Sequence, residues 1–180
     1  MDHESPSPGT VRPATVSDAT AIGEINVLSW QAAYSGLLPD DFLRRLSAEA
    51  RSRMWADVLG GPDRSGTVLV VETAGAERHL AGFVAFGPPR GHAGTELGQL
   101  YALYLHPRHW DRGLGRLLHE RAVQALADDG YRTAILWVLA TNERAKNFYA
   151  RHGWRPDGGK QAERMEGVTL DEIRYRRSLP

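Results

Sequence analysis

Residues 103–118 read Leu-Tyr-Leu-His-Pro-Arg-His-Trp-Asp-Arg-Gly-Leu-Gly-Arg-Leu-Leu, and they join an apolar strand to an amphipathic helix. The first backbone N–H groups of a helix have no intrahelical partner, and the helix dipole adds positive potential there. Because Gly113 and Gly115 have no Cβ, a diphosphate can approach their amides to hydrogen-bonding distance. The stretch therefore predicts an anion cradle, with Arg112 and Arg116 as cationic donors beside it.

Two other phosphate-binding motifs fit this chain less well. A dinucleotide fingerprint needs a third glycine three residues after the second, and Leu118 stands at that position. A Walker loop needs a lysine after its last glycine. Residues 61–66 have the glycine spacing of that loop, but Thr67 follows them. We predict a turn for residues 61–66.

Composition narrows the class of protein. The 180 residues are 42% hydrophobic and include five Trp, which is enough for the core of one domain. Lys and Arg number 22 and so do Asp and Glu, so the basic excess of a nucleic-acid binder is missing. We find neither a membrane-spanning apolar run nor a signal peptide, so we expect a cytoplasmic protein with no nucleic-acid or membrane partner. The absence of cysteine excludes a Cys-acyl intermediate.

Hydrophobic periodicity and breaker residues divide the chain into a disordered tail at 1–9 and one domain at 10–180. The domain is expected to hold strands at 11–14, 67–72, 80–86, 97–105, 133–139 and 171–177, with a hairpin turn at 73–78. Helices are expected from Ser17 or Asp18, from Pro39, over 47–59, from the cradle to Gly130, and over 142–152. The predicted buried positions include Leu28 on the first helix and Met54 and Val58 on the third.

Two blocks of sequence resemble the GCN5-related N-acetyltransferase (GNAT) superfamily. That family's glycine motif is Gln/Arg-x-x-Gly-x-Gly/Ala, and residues 110–115 match it except for Trp110 at the first position. Residues 141–154 are similar to the family's later motif, which has an Asn, an Ala three residues on, an aromatic-Tyr pair and Gly-aromatic. Residues 29–39 resemble a bacterial branch that includes polyamine acetyltransferases.

The resemblance implies an α/β (α+β) fold with a mixed, mostly antiparallel central sheet of six to seven strands and helices on both sides. It also implies a direct acetyl transfer from acetyl-CoA in which Tyr149 is the general acid. The strand at 97–105 would hold the pantetheine, with the N–H of Leu105 as oxyanion donor. The cofactor-binding residues implied in this way are Leu103, Tyr104, Leu105, Trp110, Asp111, Arg112, Gly113, Leu114, Gly115, Arg116, Asn142, Asn147 and Tyr149.

The general base is the point at which the chain departs from the family. The histone-type branch carries a Glu at the position of Gln99, and a carboxamide cannot accept a proton. Glu96 is the nearest carboxylate, but strand alternation places it on the face opposite Gln99. A water held by Gln99 and the Tyr101 hydroxyl is the alternative route for the proton.

The sequence offers three aromatic candidates for contact with an acceptor. Trp30 and Tyr34 lie one helical turn apart, a spacing that suits either a core pair or the wall of an acceptor pocket. Tyr101 is a third candidate for acceptor contact. His106 and His109 bracket Pro107, but no third ligand is spaced to complete a metal site, so we expect no metal.

These observations predict an N-acetyltransferase that moves acetyl from acetyl-CoA to a primary amine of a small molecule. Two alternatives remain open: acetylation of a protein N-terminus or lysine, and a non-catalytic module that binds acetyl-CoA. The Gln at position 99 favours the non-catalytic module, whereas Tyr149 favours the enzyme. The sequence also leaves a homodimer open.

Overall fold

The computed structural model describes residues 8–62, 66–75, 78–90 and 96–180. Most of the predicted tail lies outside these residues, as do the centre of the turn predicted at 61–66 and part of the hairpin turn predicted at 73–78. The first strand includes Gly9, which the sequence prediction placed in the tail.

Within the described residues, seven strands form one mixed sheet in the order β1-β2-β3-β4-β5-β7-β6. The neighbouring strands are antiparallel except for β4 and β5, which run parallel. The predicted mixed, mostly antiparallel sheet is therefore confirmed. The strands are β1 Gly9–Pro13, β2 Thr67–Thr73, β3 Leu80–Gly87, β4 Leu97–Leu105, β5 Thr133–Leu139, β6 Arg155–Met165 and β7 Val168–Ser178.

The α-helices begin and end at residues whose chemistry suits those positions. Ser47 caps the third helix by accepting from the N–H of Ala50 at 3.1 Å. Gly130, at φ +91°, follows the fourth. The helices are α1 Ala19–Ala33, α2 Asp40–Arg45, α3 Ala48–Gly60, α4 Leu114–Asp128 and α5 Glu143–Arg151. None of the helices in the described part of the chain is long and apolar enough to span a membrane.

The helices cover both faces of the sheet, as predicted. On one face, α1 and α3 bury Ile22 and Trp55 against Phe83. On the other face, α4 buries Leu118 and its neighbours against β3, β4 and β5, and α5 packs beside it. A third apolar cluster joins the end of α1 and α2 to β5 and β7; it contains Val27, Trp30, Leu38, Phe42, Leu43, Leu46, Leu139 and Leu170.

The sequence analysis missed β6 and the first residues of β7. Residues 155–165 are mostly exposed, so β6 lacks the apolar alternation that marks a half-buried strand. A register shift between Pro156 and Lys160 further disturbs the pattern. This strand forms because β7 supplies a hydrogen-bonding partner, which is a tertiary effect.

Four residues on the predicted apolar faces of the helices are exposed, among them Ala32. Leu28 is 40% exposed, Met54 39% and Val58 48%. Met54 and Val58 lie on the side of α3 that borders a large cavity, so the apolar stripe of this helix extends beyond the core. Trp55 and Leu59 of the same helix are buried as predicted.

The two parallel strands separate after a short pairing. Leu97, Gly98 and Gln99 of β4 pair with Thr133, Ala134 and Ile135 of β5, and no pairing follows although both strands continue and are fully described. From Leu100 to Leu105 the edge of β4 that faces β5 is therefore open. This gap in the middle of the sheet leads into the cavity.

Candidate active site

One cavity of about 1170 Å³ joins the gap between β4 and β5 to the N-terminus of α4. Its walls come from α1, α3, the sheet, α4 and α5. Most predicted site residues line it: Trp30, Tyr34, Gln99, Tyr101, Leu103, Tyr104, Leu105, Trp110, Asp111, Gly113, Gly115, Arg116, Asn142 and Tyr149. Glu96, Arg112, Leu114 and Asn147 are not among the lining residues.

The open edge of β4 presents backbone groups to the cavity. The N–H of His106 donates to the carbonyl oxygen of Ala81 at 2.8 Å, on the β3 side. Because successive N–H groups of a strand point to opposite neighbours, those of Leu105 and Leu103 point into the gap. This edge can hydrogen-bond an extended chain that carries amide groups.

The N-terminus of α4 is built as an anion cradle. Gly113 is the cap residue at φ +80°, a left-handed conformation that favours glycine. Its carbonyl accepts the first bond of the helix, from the N–H of Leu117 at 3.0 Å. The preceding N–H groups of the first turn have no intrahelical acceptor, and a glycine cap has no side chain to supply one. They are therefore oriented to bind an anion.

Gly115 has a second reason to lack a side chain. A Cβ at this position would lie 3.2 Å from Leu105 Cδ1 and 3.8 Å from the ring of Phe148. The glycine therefore lets α4 approach the end of β4 closely. The lack of a side chain at Gly115 thus serves both the packing of α4 against β4 and the approach of an anion.

Trp110 closes the end of the gap. Its indole N–H donates to the carbonyl oxygen of Leu105 at 3.0 Å. The guanidinium of Arg144 lies 4.2 Å from the centre of its ring and forms an ion pair with Asp111 at 3.0 Å. Arg144 also lines the cavity. The sequence analysis missed Arg144 because 33 residues separate it from Asp111, so no local motif contains both.

Tyr149 lies in the cavity wall and is only 9% exposed. Its ring packs against Phe148 at 5.4 Å and Trp154 at 6.2 Å. Burial raises the pKa of the phenol well above its usual value, and nearby Tyr104 raises it further. The Tyr149 hydroxyl therefore stays protonated and neutral at physiological pH.

Asn142 serves as a helix cap. Its side-chain oxygen accepts from the N–H of Ala145 at 3.1 Å, at the start of α5. It is 6% exposed and lines the cavity next to the Leu139 end of β5. Capping fixes the beginning of the helix that carries Tyr149.

The predicted residues of the proton route have other partners. The carbonyl oxygen of the Gln99 side chain accepts from the N–H of Arg90 at 3.0 Å, and Tyr101 donates to the carbonyl of Pro88. Both side chains thus hold the segment that follows β3. Glu96 is exposed and forms an ion pair with Arg132 at 3.4 Å. The structure does not bring the Glu96 carboxylate into the cavity.

Three other residues that were predicted to bind the cofactor are not among the residues that line the cavity. Leu114 is 2% exposed and belongs to the core, although its backbone N–H is in the first turn of α4. Arg112 and Asn147 are exposed. Arg116 lines the cavity but forms an exposed ion pair with Glu120 at 2.7 Å.

An aromatic group borders the opposite end of the cavity. Trp30 and Tyr34 of α1 meet edge to face with ring centres 4.9 Å apart, and Tyr104 lies 6.4 Å from Trp30. The hydroxyls of Tyr34 and Tyr104 lie near each other. Burial raises the pKa of both hydroxyls. Trp30 belongs to the apolar cluster at this end, and Tyr34 packs against that cluster. Both residues also line the cavity, so each one contributes to the core and to the pocket wall.

A family comparison completes this description. The model of the Acetyltransferase (GNAT) family matches residues 27–154, which is more than half of the chain. The chain belongs to this family. The match covers the gap between β4 and β5, the glycine cradle and Tyr149.

Relatives of this GNAT chain carry acetyltransferase names. It is 30% identical over 138 residues to the N-acetyltransferase YuaI of Bacillus subtilis, covering 74% of this chain and 73% of YuaI. It is 27% identical over 128 residues to a phosphinothricin N-acetyltransferase of Streptomyces coelicolor, covering 71% and 74% of the two chains. The GNAT chain is thus an N-acetyltransferase.

A solved structure shares the GNAT fold described above. The PaiA N-acetyltransferase of Thermoplasma acidophilum, in complex with coenzyme A, superimposes with a TM-score of 0.68 at 18% identity. The alignment covers 94% of this chain and 98% of PaiA. At this identity the likeness shows the fold.

Proposed function

We propose that this acetyltransferase transfers acetyl from acetyl-CoA directly to a primary amine of a small molecule. One observation carries the proposal: a single cavity contains the open edge of β4, the uncapped N-terminus of α4 and the buried hydroxyl of Tyr149. An extended thioester with amide groups and a diphosphate requires these three features together.

The residues present fit acetyl-CoA. The first-turn amides of α4, at Leu114, Gly115 and Arg116, bind the diphosphate, because glycine at the cap leaves them without a partner. The backbone groups at the open edge of β4, from Leu103 to Leu105, form hydrogen bonds with the pantetheine amides. Trp110 and Arg144 border the path between these two places. That PaiA binds coenzyme A with the same fold supports this placement.

The chemistry follows from these positions. The amine nitrogen attacks the thioester carbon, and the N–H of Leu105 stabilises the negative charge that develops on the carbonyl oxygen. The C–S bond then breaks, and Tyr149 donates its proton to the departing thiolate. The attacking nitrogen loses one proton as the neutral amide forms, and the phenolate that remains recovers a proton before the next turnover.

Three observations favour a small acceptor. The acceptor end of the cavity is bordered by Trp30, Tyr34 and Tyr104 and is backed by the cluster of α1, α2, β5 and β7. A relative covering most of this chain is named for phosphinothricin, a small molecule. The resemblance of residues 29–39 to the polyamine-acetylating branch agrees with a small amine.

Release of the CoA thiol, measured with a thiol reagent, tests the proposal. Purified protein is given acetyl-CoA and one of three acceptors: spermidine, phosphinothricin, or peptides with a free N-terminus or a lysine. We expect release that depends on a small amine and exceeds release with the peptides. Faster release with peptides would support protein acetylation instead. Acetyl-CoA binding without release for any acceptor would support the non-catalytic module.

A further inference from the structure

Two carboxylates on β6 and β7 line the cavity beside the aromatic group. Glu172 pairs in register with Leu139, at the end of β5 farthest from its pairing with β4. Gln161 stands opposite Glu172 on β6 and donates to its Oε2 at 2.6 Å. Glu163 pairs with Leu170, so its side chain lies on the same face as that of Glu172. All of these residues line the cavity.

The surroundings of Glu172 include groups from every wall of this end of the cavity. Tyr34 on α1 and Tyr104 on β4 are both close enough to interact electrostatically with its carboxylate. Arg51 on α3 acts on Tyr104, and Tyr149 on α5 acts on Tyr34. Burial, together with Glu163, raises the pKa of Glu172, which strengthens it as a base while it is ionised.

A second observation indicates a ligand at this end. Trp30 is 8% exposed and lines the cavity, and its indole N–H lies near the Tyr104 hydroxyl but forms no hydrogen bond of normal geometry among the described residues. Buried donors in proteins ordinarily have a partner. Aromatic faces attract cations; the guanidinium of Arg51 already lies 5.7 Å from the centre of the Trp30 ring, and the Tyr34 ring lies 4.9 Å from it, edge to face. Carboxylates next to aromatic rings suit an ammonium group.

We propose that Glu172 binds the ammonium group of the acceptor and accepts its proton. This inference rests on the proposed amine acetylation and assigns its missing base. One N–H bond of the ammonium breaks, its electron pair stays on nitrogen, and the proton forms an O–H bond on the Glu172 carboxylate. The neutral amine then attacks the thioester. Glu96 cannot fill this role from its exposed ion pair with Arg132.

Glu172→Gln is the variant that tests this assignment. It removes the charge but keeps a side-chain oxygen that can accept from Gln161. The neighbouring Asp171→Asn is the matched control, because Asp171 is exposed and alternates to the opposite face of β7. Glu172→Asp, which keeps a shorter carboxylate, is the conservative partner. The thermal midpoint of each variant reports folding.

The first measurement is calorimetric binding of spermidine and of phosphinothricin to the CoA-loaded protein. We expect wild type, Asp171→Asn and Glu172→Asp to bind at least one of these amines, and Glu172→Gln to bind it about tenfold or more weakly, because a charge-assisted hydrogen bond is lost. Equal binding by Glu172→Gln and wild type overturns the inference. Failure of wild type to bind either amine overturns it as well.

The second measurement is the pH profile of kcat/KM for the amine that binds. In wild type, kcat/KM is expected to fall at low pH as Glu172 becomes protonated. In Glu172→Gln, kcat/KM is expected to be about 100-fold lower and to lack this fall at low pH. An unchanged acid limb in Glu172→Gln overturns proton acceptance. If wild type binds an amine without any acetyl transfer, the proposed function fails, and the binding comparison still decides whether Glu172 holds the ammonium.

Discussion

Trp110 donates its indole N–H to the carbonyl oxygen of Leu105. The bond ties the loop before the glycine cradle to the last residue of the open β4 edge. The family places Gln or Arg at this position, and the aromatic residue here still supplies a donor. Arg144, stacked on the indole and paired with Asp111, links the same loop to α5.

Trp110→Phe keeps an aromatic ring for Arg144 but removes the donor. The loss of one hydrogen bond to the Leu105 carbonyl is expected to raise the Kd for acetyl-CoA by about two- to tenfold, because the cradle and the strand edge lose their fixed separation. Calorimetric titration of Trp110→Phe and of wild type with acetyl-CoA measures the two Kd values. An unchanged Kd would mean that the loop is held sufficiently by Arg144.

Gly113→Ala tests the cradle against a matched control. The backbone is left-handed at Gly113 and at Gly130, and in each case a Cβ has open space, the nearest atom to that at Gly113 being Pro8 Cγ at 3.7 Å. Both alanine variants should therefore lose about 1 kcal/mol of stability. Gly113→Ala alone should weaken acetyl-CoA binding, because its methyl group lies beside the proposed diphosphate site. Equal Kd values for the two variants would contradict the cradle.

Gly115→Glu places a side chain and a negative charge in the first turn of α4. We expect acetyl-CoA binding to fall below detection in calorimetry, because the carboxylate repels the diphosphate. Its Cβ also meets Leu105 Cδ1 at 3.2 Å, so Gly115→Ala is measured in parallel to separate crowding from charge. Retained affinity in Gly115→Glu would refute the site.

Tyr149→Phe removes the proposed proton donor and keeps the ring. We expect kcat to fall by about 100-fold or more while the Kd for acetyl-CoA stays within a few-fold. Tyr175→Phe is the control, since Tyr175 is a buried core tyrosine outside the cavity lining. Wild-type kcat in Tyr149→Phe, with chemistry rate-limiting, would leave Tyr149 as a packing residue.

His119 makes stability depend on pH. It is 1% exposed, its Nε2 accepts from the indole N–H of Trp154 at 2.8 Å, and burial lowers its pKa to about 3. The unfolded chain binds this proton near pH 6.5, so the unfolding free energy falls as the pH drops below that value. From pH 7.5 to 5 the expected loss is about 2 kcal/mol. Urea unfolding at the two pH values measures this loss of unfolding free energy. The loss should be smaller in His119→Asn than in wild type.

The parts of the site that could be predicted lie in continuous motifs. Gly113, Gly115, Asn142 and Tyr149 line the cavity, and each belongs to a short pattern whose spacing reflects one helix start or one helix face. The cavity brings them together as expected. Gln99 was also located correctly on β4, but its hydrogen bond to the N–H of Arg90 could not be foreseen from its residue type.

The residues that were missed depend on distant parts of the chain. Glu172 enters the cavity only because β7 pairs with β5, and Glu163 only because the polar strand β6 pairs with β7. No apolar alternation marks β6, so nothing local indicated that its side chains face a site. The position of Arg144 likewise depends on its ion pair with Asp111, which lies in the loop before α4.

The short pairing of β4 with β5 gives the protein a stability that depends on its supply of acetyl-CoA. Without a bound chain, the backbone of β4 from Leu100 to Leu105 lacks a strand partner on one side. A ligand that binds the folded state alone raises the unfolding free energy with its concentration, by about 2.7 kcal/mol at 100 times its Kd. The amide hydrogens of Leu103 and Leu105 should then exchange with solvent more slowly than in the free protein. The concentration of free acetyl-CoA relative to its Kd would thus set the fraction of molecules that are unfolded at any moment.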